Sequence, residues 1–206
     1  MILASAIYPT YDPFGLFNDV KTVTMPEELT KDSFLLLHGG EDIATGIYKQ
    51  EPNSYTDAKE VKSSRDKIEM ALVNQAFKLK IPVIGICRGA QLLCAMNGGS
   101  LFQHVENHTR SHNVFTYKGE ELITNSVHHQ MMNVKETKHE MLAWSENLSK
   151  IYLGEDDQDQ EHPDVDPEVV YFPKRKALAI QPHPEWLNVS HPFVQFCSKV
   201  IQEKFL

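Results

Sequence analysis

Two apolar runs open the chain. ILASAIY (2–8) and SFLLLHGG (33–40) carry few polar side chains and read as short buried strands, the second ending in a glycine pair. The stretch between them holds Pro13, Gly15 and Pro26, so any helix there is short. RDKIEMALVNQAFKLK (65–80) sets Ile68, Ala71, Leu72, Ala76 and Leu79 on one helical stripe, and Pro82 stops it. PVIGIC (82–87) is uncharged and β-branched, as a parallel strand covered on both faces should be. RGAQLLCAMNGG (88–99) then reads as a helix closed by Asn97 and Gly98.

Beyond about residue 113 the period shortens. NVFTY, ELIT, MLAW, KIYLG, VVYF and ALAI are brief apolar segments with turn residues between them, the pattern of strands and hairpins. After Pro192, the positions of Phe193, Cys197, Val200 and Ile201 predict a terminal amphipathic helix. Strands alternating with helices, then a smaller β-rich portion, predict an α/β fold with a central, mostly parallel sheet flanked by helices. The chain has 206 residues, 41% of them hydrophobic, with no internal repeat or linker, so one domain over 1–206 is expected.

Charge changes this picture in one place. EDDQDQEHPDVDPE (155–168) holds eight of the 28 acids and no Lys or Arg; the other 20 acids match the 20 Lys and Arg. The formal net charge of −8 therefore belongs to this segment, which reads as a solvated loop or flap. No basic patch suggests nucleic-acid binding. No apolar run approaches the roughly 20 residues that span a bilayer, so no membrane association is expected. MILASAIYP lacks the basic flank of a signal peptide. Cys87, Cys94 and Cys197 are odd in number and lack CxxC spacing, which favours a reducing, cytoplasmic setting.

The candidate chemistry begins at GICRG (85–89). A G-x-C-x-G turn between a buried strand and a helix has the form of a nucleophile elbow, and glycines two positions either side of the nucleophile relieve its tightness. The following helix N-terminus favours a thiolate at Cys87. Cys94 and Cys197 fit core positions. A cysteine nucleophile needs a base and a group to orient it. QPHPEW (181–186) offers both: prolines hold the segment extended, so His183 and Glu185 point to the same side.

From residue 38 to 186, the motifs GGEDI, RDKIEMAL, IPVIGICRGAQLL, GGSLFQH, NSVHHQ and PHPEW run in an order that resembles the class I (triad) glutamine amidotransferases. Arg88 after the cysteine is similar to the gamma-glutamyl-gamma-aminobutyrate hydrolase branch. The resemblance implies a three-layer glutamine amidotransferase-like fold and a catalytic Cys87–His183–Glu185 triad. It also implies an oxyanion hole from the N–H groups of Gly40 and Arg88. Gln91 would contact substrate, and Ser126, Val127 and His128 would border the glutamyl group. The implied reaction is hydrolysis of a small-molecule γ-glutamyl amide, glutamine or a γ-glutamyl-amine, through a γ-glutamyl thioester, with no metal or cofactor. Alternatives are a glutaminase subunit that delivers ammonia to a synthetase or ligase partner, and a catalytically silent binding protein.

The chain departs from the pattern at Pro182, where an aromatic residue is usual, in a shortened region before HGG, and in the acidic segment. His104, His108 and His112 recur every four residues, but Thr109, Ser111 and Asn113 favour irregular backbone over a metal-binding helix face. Asp157, Asp159, Glu161 and Glu168 stand at calcium-loop positions, but His162 replaces the required glycine.

Overall fold

The computed structural model describes residues 1–206. Nine strands form one sheet in the order β2-β1-β3-β4-β13-β12-β10-β7-β8. The first five of these positions are filled by β2 (Asp19–Val23), β1 (Ile2–Ala6), β3 (Ser33–Leu37), β4 (Val83–Ile86) and β13 (Ala177–Ile180), all mutually parallel. The sheet continues antiparallel through β12 (Asp166–Phe172), β10 (Glu140–Ser145), β7 (His112–Thr116) and β8 (Glu121–Thr124). Two small ribbons pair β5 (Ser100–Phe102) with β9 (Met131–Asn133), and β6 (His104–Val105) with β11 (Tyr152–Leu153).

Strand alternation divides the core. Leu35, Leu37, Val83, Ala177 and Ala179 pack with residues of α1 (Ser64–Leu79) and α2 (Arg88–Met96). Phe34, Leu36, Ile84, Leu178 and Ile180 point the other way, onto Phe193, Cys197, Val200 and Ile201 of α3 (Pro192–Phe205). Helices thus cover both faces of the sheet, giving three layers. The expected terminal stripe is fully buried, and the expected short segments after residue 113 are strands.

Two elements differ from the sequence reading. DVKTV forms β2, an edge strand whose polar positions are exposed or half-buried and so give no apolar run. Helix α1 starts and stops as expected: Ser63 and Asp66 form a capping box, and Lys80 closes the helix in the left-handed region at φ 57°. Its buried face, however, includes Arg65, Asp66 and Glu69 beside Leu72, Val73 and Ala76, while Ile68 and Ala71 are only partly buried. The acidic segment is not wholly solvated either. Asp166 and Glu168 are buried on β12, and Asp157 accepts hydrogen bonds from Ser54 at 2.9 Å. Glu168 is thereby separated from the exposed Asp157, Asp159 and Glu161 of the calcium-loop pattern. No helix is long and apolar enough to cross a membrane.

Candidate active site

Three neighbouring parallel strands end at one edge of the sheet. Leu37 of β3 is in register with Gly85 of β4, and Ile86 of β4 with Ile180 of β13. The segments that follow are therefore brought together: His38-Gly39-Gly40 after β3, Cys87 after β4, and His183 after β13. Strand ends of this kind are where open α/β sheets build sites.

Cys87 has φ 46° and ψ −104°, a conformation that non-glycine residues adopt only under constraint. The constraint is the close packing predicted from GICRG. A Cβ on Gly85 would collide with the Gly89 carbonyl, and one on Gly89 would lie 2.7 Å from the Leu37 Cβ and carbonyl oxygen. Cys87 N–H donates to the Ile180 carbonyl at 2.8 Å, tying the elbow to β13. Arg88 begins α2, so its own N–H has no acceptor within the helix. The other two thiols are fully buried, and burial pushes Cys94 up to about 12 and Cys197 higher still.

His183 and Glu185 do meet, with Nδ1 2.7 Å from Oε1. The extended geometry expected for them is corrected: residues 184–186 form a single 3-10 turn with His183 at its N-cap. Pro184 at the first position of that turn has its φ preset for helical backbone, while His183 before it stays out of the helical region at φ −109° and ψ 75°. Burial pulls the His183 pKa down, but hydrogen bonding and charge from Cys87 and Glu185 outweigh it and raise the value to about 9. Proximity of these groups is reported by Gly39, where a Cβ would lie 2.6 Å from His183 Cε1 and 3.5 Å from Cys87 Cβ.

An open cleft of about 400 Å³ exposes this edge, lined by His38, Gly40, Cys87, Val127, His183 and Trp186 among others. Of the residues expected to contact substrate, Val127 lines it. The other three do not line it. Gln91 is buried, and its Nε2 donates to the Gln130 carbonyl at 3.0 Å. Ser126 Oγ donates to the His108 carbonyl at 2.6 Å, and His128 Nδ1 lies 2.8 Å from the Gln130 carbonyl. Burial alternates along 126–128: Val127 is exposed at the cleft, while Ser126 and His128 are buried.

Several supporting residues escaped the sequence reading. Asn125 clamps the His183 backbone twice, receiving its N–H at 3.1 Å and donating to its carbonyl at 2.8 Å. Trp186 stacks on the His183 ring, with centroids 3.8 Å apart and planes 4° from parallel. Arg65 Nη2 donates to the carbonyls of His38 and Gly39, both at 3.0 Å, and its other nitrogens bond Glu41 and Glu69. Arg88 is fully buried and pairs with Asp66 at 2.6 Å and with Glu69. The signal for these pairs was present in the charges of RDKIE, which fall within the first turns of α1 and interrupt an otherwise apolar face.

A three-layer α/β fold with a cysteine elbow and a His–Glu pair at the next strand end defines the glutamine amidotransferase-like class. Residues 23–149 match the Peptidase C26 family, and the chain belongs to it. Among its relatives, the glutamine amidotransferase-like protein YvdE of Lactococcus lactis is 26% identical over 186 residues, covering 80% of this chain and 71% of that one. The gamma-glutamyl-CDP-amidate hydrolase of Campylobacter jejuni is 34% identical over 94 residues, covering 46% of this chain and 41% of that one. A solved structure of the glutaminase domain of Trypanosoma brucei CTPS, with bound acivicin, shares the fold at a TM-score of 0.59. The identity is 12%, over 100% of this chain and 95% of that one.

Proposed function

We propose that this protein hydrolyses the amide bond of γ-glutamyl amides through a thioester on Cys87. The observation that carries the reading is the convergence of Cys87, at its strained φ, with the His183–Glu185 pair on adjacent strand ends. Family membership and the γ-glutamyl hydrolase among its relatives support hydrolysis of this bond class.

In the proposed reaction, the Cys87 thiolate attacks the γ-carboxamide carbon and the carbonyl oxygen becomes an oxyanion. Backbone N–H groups of Arg88 and Gly40 receive that charge, each contributing about 3–4 kcal/mol to the transition state. Arg65 supports this role for Gly40, because the Gly39 carbonyl and Gly40 N–H belong to one planar trans peptide. Holding the carbonyl on Arg65 turns the N–H the opposite way. Gly40 has φ 149°, and a Cβ there would strike Arg65.

His183 then protonates the leaving nitrogen, the C–N bond breaks, and ammonia or an amine departs. Water next attacks the thioester, His183 takes its proton, and the C–S bond breaks to release glutamate and the thiolate. Glu185 holds Nδ1, which directs Nε2 toward the reacting atoms.

The test uses purified protein alone, supplied with glutamine and a panel of γ-glutamyl amines, with glutamate release as the readout. Cysteine-dependent turnover, abolished in Cys87→Ala, is expected. Turnover that survives this substitution, or no turnover of any compound, contradicts the reading. Glutamine hydrolysis that rises sharply only with an added synthetase or ligase would favour an ammonia-supplying subunit instead.

A further inference from the structure

Outside the cleft, the histidine run and the acidic segment meet. His108, His112 and Glu168 each bring one ligand atom within 4.8 Å of the others, with His108 Nδ1 4.0 Å and His112 Nε2 2.7 Å from Glu168 Oε1. Their side chains are 0%, 7% and 1% exposed. His104, the third member of the four-residue run, is not in the group and stacks on Tyr55 instead.

Each imidazole is oriented from behind. His108 Nε2 lies 3.0 Å from Asp166 Oδ2, a carboxylate that also accepts the Leu148 N–H at 2.9 Å and the Tyr152 hydroxyl at 2.7 Å. His112 Nδ1 lies 3.2 Å from the Arg110 carbonyl, which can only accept. With protons placed by these outer contacts, His108 Nδ1 and His112 Nε2 carry the lone pairs, as in metal-ligating histidines held by outer carboxylates and carbonyls.

The cluster is incompletely satisfied without a cation. His112 lies 2.7 Å from Glu168 Oε1 and needs a second proton to donate there. His108 Nδ1 and Glu168 Oε2 are buried with no hydrogen-bond partner. Neither Asp166 nor Glu168 is paired with a lysine or arginine, and their salt-bridge partners are the two histidines. One divalent ion with two neutral imidazoles would balance both carboxylates and give the orphaned His108 Nδ1 a partner.

We propose that His108, His112 and Glu168 bind a divalent transition-metal ion, with Asp166 as the outer carboxylate. Two imidazoles and one carboxylate suit zinc. The ion has a structural role, because the His108 carbonyl accepts both Ser126 Oγ at 2.6 Å and the His128 N–H at 3.0 Å. It would therefore brace the loop from which Asn125 holds His183. This site stands independently of the reaction proposed above.

The experiment uses the 206-residue chain carrying Cys87→Ala, so that the thiol cannot compete for metal. The protein is stripped with chelator, reloaded with zinc or cobalt, and desalted before metal is counted. One equivalent retained is expected. Affinity should fall at least about tenfold in His112→Ala and in Glu168→Gln, and about tenfold in Asp166→Asn, but not in His104→Ala. X-ray absorption at the zinc edge should report two imidazoles with oxygen, a readout that needs no cluster variant to fold. Failure to retain an equivalent, unchanged affinity in His112→Ala or Glu168→Gln, or a coordination shell without imidazole overturns the proposal.

Discussion

Cys87 differs from the protein's other two thiols in its surroundings. It sits in a left-handed backbone conformation at a cleft, next to an imidazole, whereas Cys94 and Cys197 are sealed in the core with raised pKa values. Alkylation at neutral pH should therefore label Cys87 first, and peptide mapping will show whether Cys94 reacts instead. The His183 pKa predicts the alkaline side of the pH profile. Leaving-group protonation requires imidazolium, so activity should decline as pH rises through about 9. Glu185 raises that pKa, so Glu185→Gln should move the alkaline limb to lower pH and reduce turnover on the order of 10²-fold. A pH–rate profile of kcat/KM checks both, and an unmoved limb would detach Glu185 from His183.

At the scale of elements, the site depends on how closely α2, β3 and β4 approach. Gly89→Ala forces a methyl group against the Leu37 backbone, so overpacking should cost about 1–3 kcal/mol, measurable by denaturant unfolding. Asn125→Ala removes two hydrogen bonds from the His183 backbone and should lower kcat more than it raises KM. The sequence made the elbow legible because a G-x-C-x-G turn has few structural uses, and it paired His183 with Glu185 correctly. The local geometry of that pair differs because the rule for residues before proline constrains His183 alone, while Pro184 itself starts a 3-10 turn that carries Glu185. Strand β2 left no apolar run to detect, since an edge strand needs only one covered face. The inward turn of Ser126 and His128 depended on tertiary contacts with His108, which lies 18 residues before Ser126 in the chain.

Across the whole molecule, three segments distant in sequence form one site because β3, β4 and β13 are neighbours in the sheet. A buried charge network locks their ends. Arg65 and Arg88 both pair with Glu69 and Glu41, Arg88 also holds Asp66, and Arg65 bonds the two carbonyls that precede Gly40. Removing Arg65 leaves two carboxylates, Glu69 and Asp66, buried with Arg88 as their one cation, so Arg65→Met should destabilise the fold by about 3–5 kcal/mol. It should also depress turnover in whatever protein remains folded, because the HGG loop loses its anchor. The layers were legible from uncharged apolar strands alternating with amphipathic helices along the chain. This network was not, since charges on a helix read as a solvated face until the partner helix is in place. The central claim is that these strand ends together make Cys87 an acylated nucleophile. The most direct test is mass spectrometry of protein quenched in acid during turnover of a γ-glutamyl amide. One γ-glutamyl group is expected on the tryptic peptide IPVIGICR, residues 81–88. An unmodified Cys87 peptide during steady turnover, with glutamate still released, would contradict it.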